Sequence, residues 1–95
     1  MRDSPEFDWD QHNEKHFAQH GVSRDDVEDI LLGNHILLEY QTDSDEQRWV
    51  AVGMTRAGRI LNIVFAVRDG AVRPITGWVA DRETADLYMR EWGTK

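Results

Sequence analysis

The chain contains no cysteine. That excludes disulfide cross-links, thiolate metal ligands and a cysteine nucleophile. Nor does any stretch approach the ~20 apolar residues of a membrane helix. The opening MRDSPEFDWD has no apolar run, so no signal peptide is expected and the expected location is cytoplasmic. Positive charge is scarce. A formal net charge of −7 opposes indiscriminate nucleic-acid binding. P-loop, G-x-G-x-x-G and G-x-S-x-G patterns are all missing, so no small-molecule cofactor is expected.

What is present is enough for one domain. Ninety-five residues support a single modest core spanning 1–95. Charge is unevenly spread: residues 1–46 carry 13 acidic and three basic side chains, residues 47–95 five acidic and eight basic. Between 47 and 77 Arg48, Arg56, Arg59, Arg68 and Arg73 face Asp69 alone. Arginine grips phosphate or carboxylate with a planar fork. The plainer reading is that these side chains line solvated strand edges and turns.

Local signals set the element order. Asp10 is placed to cap a helix running to about Gln19, with Gly21 as its stop. Ser23 caps a second, Asp26 three residues on gives a capping-box pattern, and Val27, Ile30 and Leu31 share one face. Strands are predicted at 35–42, 48–54, 59–68 and 71–76, with a turn at 43–46 and a two-residue hairpin at Asp69-Gly70. The third strand, RILNIVFAVR, is nearly all apolar and so should be central and covered on both faces. Pro74 cannot donate to a ladder, which puts the last strand at an edge or a bulge. Gly77-Trp78 reads as a turn. Asp81 caps a last helix to about Trp92, with Ala85, Tyr88 or Met89, and Trp92 on one face. The expected fold is α+β: two N-terminal helices, a four-stranded antiparallel sheet with one helix-covered face, and a C-terminal helix.

His12, His16 and His20 are four apart and would share a helix face. A His pair at that spacing can ligate zinc, but there is no HExxH, and the expectation is no resident metal. Histidine also transfers protons near neutral pH. His35, alone at a strand start, reads as a surface residue. A ribonuclease can work without metal when a base, an acid and cations surround a phosphate attacked by the neighbouring 2′-hydroxyl.

FDWD (7–10), HGVS (20–23), DEQRWVAVG (45–53), AGRILNIVF (57–65) and VRPIT (72–76), in that order, resemble the BrnT family of toxins from bacterial type II toxin–antitoxin pairs. The resemblance covers about residues 7–92. It implies a RelE/ParE-like α+β fold and metal-independent RNA cleavage that blocks translation. It also implies a BrnA-like antitoxin encoded beside the toxin, which covers it and joins it on operator DNA. Self-association as a homodimer is a further expectation.

Against typical members this chain departs in two places. Their last strand runs into I-S/T-A-R; here Gly77 stands at the alanine, Trp78 at the arginine and Val79 at a second commonly basic position. Typical members also carry a Lys just before the His of HGVS, where this chain has Gln19. Arg48, Arg59 and Arg73 match places where the family is commonly basic. The expected catalytic set is therefore Arg59 and Arg73 for phosphate and His20 or His16 for proton transfer. Arg48 and Arg82 would support RNA binding. Trp78 has two readings: it stacks a base, or it packs on the core or a protein partner. The missing arginine and the acidic charge favour the second, and with it a weakened or inactive toxin. The alternative function is a non-catalytic interaction module of the same fold.

Overall fold

Three side-chain oxygens start three helices. Asp10 caps α1 (Gln11–Gln19), Ser23 caps α2 (Arg24–Leu32) and Asp81 caps α3 (Arg82–Trp92). In α1 the box is reciprocal: the Asn13 N–H donates to Asp10 at 2.9 Å and the Asp10 N–H donates to Asn13 at 2.8 Å. Ser23 and Asp26 repeat it in α2 at 3.0 Å in both directions. Each such cap is worth about 0.5–2 kcal/mol. The computed structural model describes residues 6–41 and 45–93. Thr42, the end of the first predicted strand, and residues 43 and 44 of the predicted turn lie outside these.

Four strands form a meander: β2 (His35–Tyr40), β3 (Arg48–Met54), β4 (Ile60–Arg68) and β5 (Ala71–Val79). A fifth, β1 (Glu6–Phe7), joins them in the order β1-β5-β4-β3-β2. β4 is central, as its unbroken apolar run requires. Asp69 and Gly70 both take positive φ, 50° and 81°, the pattern of a type I′ hairpin.

Three sequence expectations need correction. The sheet is mixed and five-stranded, because β1 runs parallel to β5, pairing Glu6 and Phe7 with Ala71 and Val72. Two residues are too few to show strand alternation, so β1 has no sequence signal of its own. Second, β5 does not stop at Thr76. It continues through Gly77 and Trp78 to Val79, paired with Ile63, Asn62 and Leu61. Third, helices lie on both faces. Leu61, Ile63 and Phe65 of β4 pack with Phe17, Val22, Val27 and Ile30 from the α1–α2 side. Val64 packs with Val50, Val52 and Tyr88 of α3 on the other. Tyr88 rather than Met89 is the buried residue of α3, and the Trp92 Nε1–H ties the helix end to the His35 carbonyl at 3.1 Å.

Gly77 is in the strand for packing, not for turning. A Cβ there would lie 2.8 Å from the Asn62 carbonyl oxygen, 2.9 Å from Phe17 Cε1 and 3.0 Å from Ile63 Cδ1. Gly77→Ala is therefore expected to destabilise the fold by ~1–3 kcal/mol, the usual range for overpacking. Urea unfolding measures it, and an unchanged midpoint would rule out this account of the glycine.

Candidate nucleic-acid interface

α1 lies along β5 and is joined to it by three rungs. Asp10 receives Arg73 Nη2 at 3.1 Å. Asn13 donates to the Pro74 carbonyl at 3.0 Å. His16 Nε2 and the Thr76 hydroxyl share a hydrogen bond of 2.9 Å. The strand advances past the helix because of a bulge: Phe65 pairs with Pro74 and Val64 with Thr76, leaving Ile75 without a partner. Among the described residues the outer side of β5 has no strand neighbour beyond Val72, so Pro74 is both at an edge and beside a bulge.

At the end of α1 the other predicted groups arrive. The His16 and His20 rings stand edge to face with centroids 5.4 Å apart. Gly21 reverses the chain at φ 72°, and Arg59 donates to its carbonyl at 2.8 Å. His16, His20 and Arg59 thus gather with Thr76 on one open border of the sheet. Arg82, exposed at the start of α3, follows Ala80, whose N–H donates to the Ile60 carbonyl at the same end. Trp78 is 37% exposed and directly opposite Asn62. His12 borders a shallow depression with Gln11 and Lys15. Among the described residues no three His, Asp or Glu side chains form a metal-binding group.

Arg73 and Arg48 stand elsewhere. Arg73 is opposite Ala66, and at ~3.3 Å per strand residue Arg59 lies roughly 20 Å away along the sheet. One phosphate cannot touch both. Arg73 is held by Asp8 at 3.3 Å and Asp10 at 3.1 Å, which fixes the amino-terminal segment against the sheet. Arg48 and Arg68 both approach Glu46, Arg48 at 3.8 Å. His35 is half-buried rather than on the surface, and its Nδ1–H donates to the Ile30 carbonyl at 2.9 Å, satisfying an acceptor at the end of α2. Nothing local in the sequence marks Thr76, Asn13 or Asn62: the partners of Thr76 and Asn13 lie 60 and 61 residues away, and Asn62 sits within an apolar strand.

The capping carboxylates are acidic for physical reasons. The Asn13 N–H, then Arg73, lowers the Asp10 pKa below its ordinary 3.8, and the Thr84 N–H does the same for Asp81. A carboxylate more acidic in the folded state adds stability that is complete above the unfolded value. Thermal stability should therefore begin to fall near pH 3.8 and drop further as pH passes the lower folded values. Asp10→Asn keeps a capping oxygen and should flatten part of that decline. An unaltered acid profile in this variant would refute the linkage.

A histidine pair beside an arginine on an open border offers proton transfer and phosphate contact without enclosure, which suits a polymeric phosphodiester. The family model of the ribonuclease toxin BrnT of type II toxin–antitoxin systems matches residues 9–83, and the chain belongs to that family. The matched span includes every candidate site residue. No curated protein matches the chain. Among the described residues, no helix is long and apolar enough to cross a membrane.

Proposed function

We propose that this chain is the toxin of a type II toxin–antitoxin module and cleaves RNA without metal at His16, His20 and Arg59. The observation that carries this is their convergence at the α1–β5 border. One imidazole takes the proton of a ribose 2′-hydroxyl, whose oxygen attacks the adjacent phosphorus. The other protonates the departing 5′-oxygen, and the products are a 2′,3′-cyclic phosphate and a 5′-hydroxyl. Arg59 meets the charge that builds on the phosphoryl oxygens. The Thr76 hydroxyl orients His16. Arg82 supports a neighbouring phosphate, whereas Arg73 and Arg48 hold structure. An antitoxin of the BrnA kind is the expected protein partner, and the RelE/ParE-like grouping accounts for sheet and helices together.

A second reading has its own support. Trp78 stands where an arginine is usual, and Arg73 is already neutralised by Asp8 and Asp10. A chain that keeps the fold and the antitoxin surface without the chemistry would look like this. Inducing the chain alone in a bacterial host, beside His20→Ala and Trp78→Arg, separates the two. Arrest of protein synthesis by the unmodified chain and its loss in His20→Ala are expected. Equal arrest by His20→Ala would sink the site, and arrest by Trp78→Arg alone would mark a disarmed toxin.

A further inference from the structure

Asn62 is out of place on a central strand. It is 8% exposed, and its Oδ1 is buried with no hydrogen-bond partner among the described residues. A polar atom left in that state costs stability, which an apolar side chain of similar shape would avoid. Its directly opposed partner on β5 is Trp78, a large aromatic that remains 37% exposed. Opposed residues share a face with Cβ atoms ~5 Å apart. Thr76, two residues before Trp78, lies on that same face by strand alternation, and its hydroxyl holds His16. An indole, an unsatisfied amide and a histidine-bound hydroxyl therefore adjoin on the α3 side of the sheet, where Thr76 of the outer strand β5 meets His16 of α1.

We propose that Trp78 and Asn62 form a nucleobase subsite flanking the His16–His20–Arg59 groove. The inference rests on the ribonuclease reading and adds substrate preference to it. The indole offers a stacking face to any base, as aromatics do on single strands. The Asn62 amide supplies an acceptor and a donor side by side. That pair matches adenine, whose exocyclic amino group and ring nitrogen take an amide in two parallel hydrogen bonds. The substrate class is single-stranded RNA with adenine next to the cleaved phosphate. Reading the base requires the Asn62 side chain to turn toward it, and no existing hydrogen bond of Oδ1 is broken in doing so.

The test measures binding and cleavage of labelled single-stranded oligoadenylate and oligouridylate by the unmodified chain, Trp78→Ala, Asn62→Leu and Arg59→Ala, with thermal unfolding of each. Trp78→Ala should weaken binding of both RNAs about ten-fold or more. Asn62→Leu should bind both RNAs equally, losing the preference for adenine, while its melting temperature stays level or rises because the orphaned oxygen is gone. Retained adenine preference in Asn62→Leu, or undiminished binding by Trp78→Ala, overturns the subsite. So does a lowered melting temperature in Asn62→Leu with preference intact, which would make the amide structural. If RNA is bound with this dependence on Trp78 and Asn62 yet never cut, the nuclease reading fails and the subsite stands. If cutting depends on Arg59 but on neither of the other two, the reverse holds.

Discussion

Arg59→Ala should slow RNA cleavage by about 10²-fold or more while leaving the domain folded. Removing one preorganised donor from a developing oxyanion costs that much in other enzymes. The structural share of Arg59 is far smaller. Among the described residues its guanidinium makes one exposed hydrogen bond, to the Gly21 carbonyl. Such a bond is worth about 0.5–1.5 kcal/mol. A rate loss large beside a small shift in unfolding midpoint is therefore the expected pattern. Arg59→Lys keeps the charge but not the fork, and should recover part of the rate. If Arg59→Ala cuts RNA as fast as the unmodified chain, the groove at the end of α1 is not the active site.

Phe17→Ala carries the largest expected cost in stability. Phe17 is fully buried and meets Trp9 edge to face at 5.7 Å. It also lies against the backbone of β5, at the position that forbids a side chain on Gly77. Phenylalanine truncation in a core costs about 3–5 kcal/mol, and a domain's whole stability is about 5–15 kcal/mol. The variant should be extensively unfolded near 37 °C. Denaturant titration, with the slope checked against the unmodified chain, measures it; a loss under 1 kcal/mol would show that α1 is not anchored here. Because the residue before it is His16, activity should fall along with the fold.

The contrast between these two side chains shows what the sequence made legible. Asp10, Ser23 and Asp81 start helices through contacts three residues long, so all three were readable. β4 announced its central place by an unbroken apolar run, and Asp69-Gly70 its hairpin. Gly77 misled, because glycine usually marks a turn and only the distant ring of Phe17 explains it within a strand. β1 had no pattern to read. At the site, the spacing of His16 and His20 was visible, but their meeting with Thr76 and Arg59 depends on contacts across the fold. Arg73 looked equivalent to Arg59 because one arginine reads like another. Its capture by Asp8 and Asp10 spans 65 and 63 residues.

The rung between His16 and Thr76 also has a consequence in time. His16 belongs to α1 and Thr76 to β5, 60 residues further along the chain. Neighbouring strands of the meander can pair soon after they emerge, but the first helix must wait for its strand. A chain released before residue 76 can hold both imidazoles and still lack the groove. The contact between His16 and Thr76 can form only once residue 76 has emerged.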